Sequence, residues 1–194
     1  GTTINVLDGV YVEQVQITKD LTLIGEGPAT IVRGFANMPY SFTTPSVNKP
    51  IITVENADVV LRDLSVDGAG MGNSNYRYFG IYYHDAGGLV EGVQVYDVRE
   101  EPFSGAQHGN AIFAYNSELP ARSLTVRGCT VERFQKNGIS FNTDDTIPLT
   151  AAAEDNVVHG YGLTPVTAQN GIQVWGPLVV ATLSGNQIDG IGWV

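Results

Sequence analysis

The chain has 194 residues, a formal net charge of −10 and a hydrophobic content of 43%. This composition suits one core, and it excludes a disordered chain or a helical membrane protein, since no apolar run approaches membrane-spanning length. The acidic balance excludes tight binding to nucleic acid, whose phosphates need a basic patch, or to an anionic membrane surface. The single cysteine, Cys129, cannot form an internal disulfide, and we expect it to be buried.

A short apolar pattern recurs along the chain about every thirty residues. The aligned residues are Ile52, Ile81, Ile112, Ile139 and Ile172, so the successive gaps are 29, 31, 27 and 33 residues. Within each repeat, apolar and polar residues alternate in three short runs, and Gly, Asn and Asp separate the runs. Three strands and three turns per repeat predict one coil of a parallel β-helix. We expect an all-β fold with about six coils, forming one domain over residues 1–194.

Two further sets of aligned residues support this prediction. In the second strand of each repeat they are Val90, Val126, Ala153 and Leu183, and in the third strand they are Val95, Val131, Val158 and Ile188. Asn156 and Asn186 lie between these sets. They predict stacked inward asparagines whose amides satisfy turn backbone groups, and surface turn formation is the alternative.

The outward residues of the first strand of each repeat predict two columns on one sheet face. The columns are Thr53, Tyr82, Phe113, Ser140 and Gln173, and then Glu55, His84, Tyr115, Asn142 and Trp175. Exposed aromatic rings beside hydrogen-bonding groups suit a sugar. The predicted substrate-binding residues are therefore Tyr82, Phe113, Tyr115, Asn142 and Trp175. The alternative is that a long loop, formed by residues 35–49, 68–79 or 97–110, covers these rings.

Acidic residues and a histidine near this face are candidates for catalysis. The candidates are Glu55, His84, Asp85 and Asp144. Two carboxyl groups can act as acid and base in sugar hydrolysis, and Glu55 with Asp85 or Asp144 is the favoured pair.

Elimination from an acidic sugar would need a base instead, with His84, Lys136 and Arg99 as the candidates. Calcium could neutralise the sugar carboxylate, and the candidate metal ligands are Asp144 and Asp145, together with Asp85. None of these residues has a diagnostic ligand spacing. We therefore expect that no cofactor is required, with Ca²⁺ as an optional ligand.

Residues 1–27 read GTTINVLDGVYVEQVQITKDLTLIGEG and resemble the first coil of pectin-lyase-like right-handed β-helix proteins. The later segments FQKNGI (134–139), AQNGIQV (168–174) and LSGN (183–186) resemble bacterial right-handed β-helix repeat proteins. The resemblance covers most of the chain and implies a single-stranded right-handed β-helix, in agreement with the right-handed rule for parallel connections. Residues 142–145, which read NTDD, are similar to a polygalacturonase segment, but the other motifs of that family are missing or out of order. No catalytic residue carries over from the family.

The resemblance and the aromatic face predict a secreted or cell-surface module that binds, and in one version cleaves, a polysaccharide. The cleaving version would be a polysaccharide lyase or a glycoside hydrolase. The alternative is a non-catalytic structural or adhesive module of a larger surface protein, which the missing enzyme motifs favour. An ice- or mineral-binding face is disfavoured because the outward columns are too mixed. We expect neighbouring domains in a longer chain, since the sequence contains no cap for the last coil.

Overall fold

The computed structural model describes all 194 residues and confirms the all-β prediction. The chain forms 21 β-strands, a single turn of 3₁₀ helix at Gly72–Ser74 and no α-helix. None of its helical structure is long and apolar enough to cross a membrane.

Twenty of the strands form three parallel sheets. The first sheet contains β1 (Thr2–Val6), β4 (Leu21–Gly25), β8 (Asp58–Arg62), β11 (Gly87–Glu91), β14 (Arg122–Arg127), β17 (Leu149–Glu154) and β20 (Val179–Ser184). The second sheet contains β2 (Gly9–Val12), β5 (Thr30–Arg33), β9 (Ser65–Asp67), β12 (Gln94–Tyr96), β15 (Thr130–Glu132), β18 (Val157–Thr164) and β21 (Gln187–Trp193). The third sheet contains β3 (Val15–Ile17), β7 (Val47–Glu55), β10 (Tyr78–His84), β13 (Asn110–Asn116), β16 (Asn137–Thr143) and β19 (Asn170–Trp175). The remaining strand, β6 (Phe42–Thr43), pairs antiparallel with β7.

The chain visits the three sheets in the same order throughout its length. Each strand therefore pairs with the equivalent strands of the coils before and after it, an architecture compatible with a β-solenoid. The first and second sheets each hold seven strands, one more than the six coils expected from the sequence. The count differs because β1–β5 precede the first aligned isoleucine, Ile52.

The predicted inward columns are confirmed. Ile52, Ile81, Ile112, Ile139 and Ile172 are direct register partners from coil to coil. The predicted columns of the second and third strands are also in register. The first four isoleucines are fully buried, whereas Ile172 is half-buried against the same core. In the last coil the inward residues Val174, Leu183 and Ile188 are exposed, because no further coil covers them.

In the last five coils, the turn from the first sheet to the second uses one residue in the left-handed conformation. Asp63, Gly92, Gly128, Asp155 and Gly185 have φ between 54° and 66°. Gly and Asp tolerate this conformation, which explains why these residue types recur there. The short turn lets the chain change direction without adding a loop.

The residue after this turn points inward, and the asparagines there form the predicted ladder. Asn156 Nδ2 donates to Asn186 Oδ1 at 2.8 Å, and Asn186 Nδ2 donates to the Ala153 carbonyl at 2.8 Å. Asn156 Oδ1 accepts from the backbone N–H of Cys129 at 2.9 Å. Cys129 is buried as expected, and burial raises the pKa of its thiol to about 11.

We expect Ile139→Ala to lower the free energy of unfolding by about 2–5 kcal/mol, because it opens a cavity between two covered coils. Urea denaturation followed by circular dichroism measures this change. Ile172→Ala is the matched control, since the same side chain in the next coil is only half-buried. An equal or smaller loss for Ile139→Ala would contradict the role given to the inward column.

Candidate functional site

A groove of about 460 Å³ lies on the outer face of the third sheet. Its floor comes from β13, β16 and β19, with Tyr82 of β10 at one edge, and its walls come from the loops that flank these strands. The lining residues include the predicted Tyr82, Phe113, Tyr115, Asn142, Asp144, Asp145 and Trp175. Its other lining residues are Thr44, Pro45, Arg77, Gln107, His108, Asn110, Asn137, Thr143 and Gln173.

The floor contains a column of outward residues that sequence reasoning missed. In β13 both Ala111 and Ile112 belong to the main core, so strict alternation fails and Asn110 faces the groove together with Phe113. The same local pattern aligns Asn110, Asn137 and Asn170 in register. The signal in the sequence is an asparagine two residues before each of the last three aligned isoleucines.

Side-chain amides form a directional ladder along this column. Asn170 Nδ2 donates to Asn137 Oδ1 at 2.8 Å, and Asn137 Nδ2 donates to Asn110 Oδ1 at 2.6 Å. Each amide thus satisfies its neighbour, and the Asn110 amide nitrogen at the end of the ladder has no partner within the protein.

The next two columns each add one more amide donor to the floor. The buried Ser140 hydroxyl lies 2.9 Å from Asn142 Oδ1 and 3.1 Å from Gln173 Oε1. The single hydroxyl hydrogen of Ser140 donates to one of these oxygens at a time, so Ser140 orients either Asn142 or Gln173. The amide nitrogens of Asn142 and Gln173 make no hydrogen bond within the protein, so they can donate to a ligand in the groove.

The predicted aromatic residues divide into an open pair and a covered pair. Trp175 is 62% exposed and Tyr115 is half-buried, and both offer ring surface to the groove. Tyr82 and Phe113, by contrast, are buried in a small second core with Phe79. The expectation of one open aromatic face is therefore wrong for Tyr82 and Phe113, which line the groove but offer it almost no exposed ring surface.

A loop segment causes this difference. Residues 38–47, which we call the strap, cross the outer face above β7 and β10. The Phe42 ring stacks on His84 with the ring centroids 4.8 Å apart, and it meets Tyr82 edge-on at 4.9 Å. The Tyr40 hydroxyl donates to Glu55 Oε1 at 2.7 Å. His84 and Glu55 therefore lie under the strap, outside the open groove where they were expected.

Three of the predicted catalytic residues form a cluster beneath the strap. His84 Nδ1 is 3.7 Å from Glu55 Oε1, and His84 Nε2 is 3.1 Å from Asp85 Oδ2. Asp85 is almost fully buried, and its carboxylate accepts hydrogen bonds from the backbone N–H of Glu118, at 2.8 Å, and from Ser117. This carboxylate therefore has a structural role in holding the 117–118 turn.

Asp144 and Asp145 line the side of the groove where β16 ends. Asp85 does not line the groove. No group of three or more acidic, histidine or cysteine side chains comes together in a metal-binding arrangement. The Thr146 hydroxyl, 2.6 Å from Asp144 Oδ1, is the main cause that lowers the pKa of Asp144. Asp144 is consequently a carboxylate at neutral pH, which suits a hydrogen-bond acceptor or a base better than a proton donor.

The other two candidate bases are engaged away from the groove. Lys136 Nζ donates to the Ala168 carbonyl at 2.7 Å, and burial lowers the pKa of the Lys136 ammonium. Arg99 is paired with Asp97 at 3.1 Å and lies 5.5 Å from the centre of the Tyr161 ring. Neither residue lines the groove.

His108 is the titratable residue of the groove that sequence reasoning did not select. It is 9% exposed, its Nδ1 has no hydrogen-bond partner, and its Nε2 lies 3.4 Å from Glu100 Oε1. Burial lowers the pKa of His108 and Arg77 adds to this effect, while Glu100 opposes it. His108 is therefore neutral at pH 7 and has one free ring nitrogen. Its loop has no repeat pattern, so the sequence period carries no signal for this residue.

No family model, curated protein or solved structure matches this chain. The chemistry of the site therefore rests on the residues that line it.

We expect the NMR titration of the His108 ring to give a pKa below the usual value of about 6.5. Burial favours the neutral ring in the folded protein, so the unfolded chain binds a proton first as the pH falls. The His108 contribution to stability is therefore present above pH of about 6.5, and it is lost as the pH falls toward the folded-state pKa.

The His108→Gln variant identifies the His108 ring resonance, because that signal disappears from its spectrum. The same variant is the control for the effect of His108 on stability. Its free energy of unfolding should fall less than that of the parent between pH 7 and pH 5. A His108 titration at or above the usual value would show that the ring is not desolvated.

Proposed function

We propose that the groove binds a segment of a polysaccharide chain with a neutral or amide-bearing backbone. The observation that carries the proposal is the set of three free amide donors, Asn110, Asn142 and Gln173, beside the open rings of Tyr115 and Trp175. Neutral donors fit sugar hydroxyl or acetamido oxygens, and aromatic rings pack against the apolar faces of sugar rings.

The charge distribution supports a neutral chain over an acidic one. Asp144 and Asp145 line the groove against one arginine, Arg77, whose Nε is already engaged by Asn48 Oδ1 at 3.0 Å. A polyuronate would bring many carboxylates next to these two aspartates, and like charges at short range oppose binding. The net charge of −10 adds to this repulsion at low salt.

We further infer that the coil is right-handed, as the resemblance to pectin-lyase-like proteins and the general rule for parallel connections imply. On the same resemblance, the chain would be one β-helix domain of a secreted or cell-surface protein. A rigid parallel sheet is a suitable platform for this role, since it holds the amides and rings in place before the ligand arrives.

A first screen would measure binding to neutral and acidic polysaccharides, with and without calcium. Binding to neutral chains alone would support the proposal, whereas calcium-dependent binding to polyuronates would favour the lyase version. No binding to any polysaccharide would favour a structural or adhesive module of a larger surface protein.

We expect Trp175→Ala to weaken binding of the selected glycan by about 1–3 kcal/mol, about 5- to 150-fold in Kd, through lost apolar contact. The melting temperature should change little, because the Trp175 side chain is 62% exposed in the free protein. Isothermal titration calorimetry and differential scanning calorimetry measure the two effects.

Trp193→Ala is the matched control, since Trp193 is 59% exposed and lies outside the groove. Equal weakening of binding by both variants would count against the groove as the binding site.

One observation favours cleavage of the bound chain as a second candidate function. His108 combines a free Nδ1 with a neighbouring carboxylate, Glu100, and such a pair can take a proton from a substrate or from water. We expect that any cleavage would stop in His108→Gln while binding persists, because the glutamine keeps polarity but cannot act as a base. Reducing-end assays and absorbance of unsaturated products distinguish hydrolysis from elimination. Full activity of His108→Gln would exclude His108 as the base.

A further inference from the structure

The open groove ends at the strap, but the sheet face beneath it continues. His84 and Tyr115 are register partners, as are Tyr82 and Phe113, so the outward columns run without a break from the groove to the covered strands. Thr44 and Pro45 of the strap form the end wall of the groove. The boundary of the groove is thus set by the strap rather than by the sheet.

Polar atoms under the strap lack partners. Thr53 is 1% exposed and its hydroxyl oxygen makes no hydrogen bond. His84 Nε2 is also buried without a hydrogen bond, since the nearby Asp85 oxygen is close in distance but outside hydrogen-bonding geometry. Buried polar groups are nearly always paired, and leaving them unpaired costs stability. Covering by the strap therefore leaves the hydrogen-bonding capacity of this face unused.

The strap is hydrogen-bonded to other segments at its base, and its tip forms a short hairpin with the start of β7. At the base, the Tyr40 N–H donates to Gln14 Oε1 at 2.9 Å, and the Met38 carbonyl accepts from Lys49 Nζ at 2.9 Å. At the tip, Phe42 and Thr43 pair with Asn48 and Val47, and Asn48 Nδ2 donates to Thr44 Oγ1 at 2.9 Å. The tip contacts the covered face through the Phe42 ring and the Thr44 hydroxyl, which is 3.0 Å from the Tyr82 hydroxyl. Displacement of the tip would break its pairing with β7 and its contacts with the covered face, and would leave the base attached.

We propose that Thr53, Glu55, Tyr82 and His84 form a covered continuation of the glycan site, which the end of a long chain occupies by displacing the strap tip. Phe42 stands where a sugar ring would stack, and its ring lies nearly parallel to His84, at 17°. Two further strands at about 4.8 Å spacing lengthen the site by about 10 Å. A sugar chain would supply hydroxyl groups to Thr53 and His84, the two residues that the strap leaves unpaired. This inference rests on the proposed glycan binding.

The test compares short and long oligosaccharides on strap variants. The probes are the tri- and hexasaccharides of cellulose, xylan, mannan and chitin, and calorimetry gives the ratio of hexasaccharide to trisaccharide affinity. In the wild-type protein, displacing the strap tip costs free energy, and this cost lowers the apparent affinity for the hexasaccharide. Phe42→Ala removes the stacking contact, so we expect the ratio to rise about tenfold. Tyr40→Phe removes only the hydrogen bond to Glu55, and we expect a rise of about threefold.

Phe103→Ala is the control, because the Phe103 ring lies outside the groove and stacks on Tyr161 with the ring centroids 4.0 Å apart. The ratio of hexasaccharide to trisaccharide affinity should not change in this variant. Trisaccharide affinity should stay constant in all variants, which also reports that each variant is folded. An unchanged or lower ratio in Phe42→Ala and Tyr40→Phe would overturn the covered site while leaving glycan binding intact. Failure of every probe to bind even the wild-type protein would overturn the proposed function, and the covered site with it.

Discussion

Register between parallel strands is the constraint on which the rest of this structure depends. Each coil pairs only with its neighbours, about 4.8 Å away, so the position of a residue in one coil fixes what lies above and below it. The buried isoleucines enforce this register, since a slip of one residue would turn the whole apolar column toward solvent. The same register aligns the outer face, and the groove is thus a consequence of how the core packs.

On the outer face, the same alignment leaves several amide donors without a partner, as the proposed glycan binding requires. In the ladder of Asn110, Asn137 and Asn170, each amide satisfies the next, and one nitrogen is left free at the end. The Ser140 hydroxyl lies within hydrogen-bond distance of the side-chain oxygens of Asn142 and Gln173 and donates to one of them at a time, while both amide nitrogens stay free. Because these donors stand on strands rather than on loops, little conformational entropy is lost when they bind. The inward ladder of Asn156 and Asn186 shows the same chemistry used for structure, where every amide partner is backbone or another amide.

The groove is asymmetric in its charge distribution and in its shape. His108 and Arg77 lie at the edge where the strands of the third sheet begin, whereas Asp144 and Asp145 lie where they end. A ligand that crosses the sheet therefore meets neutral or positive groups on one side and carboxylates on the other. Along the stack of coils, the strap closes one end and Trp175 stands open at the other. Under the proposed function, this asymmetry would favour one orientation of a bound glycan chain.

The sequence by itself determined the repeat, the all-β architecture, the inward columns, the burial of Cys129 and the asparagine ladder at the turn. These features follow from alternation and period, which are local properties of the chain. The sequence also placed Tyr115, Asn142 and Trp175 on one outer face, because outward residues are the complement of the inward ones. Only the tertiary structure decided which of the outward residues are open. The strap covers His84 and Tyr82 through contacts of a non-repetitive loop, whose position depends on the balance of many distant interactions and leaves no periodic signal. The extra asparagine column likewise arises where two consecutive residues, Ala111 and Ile112, both face the core, a departure from strict alternation that only packing could decide.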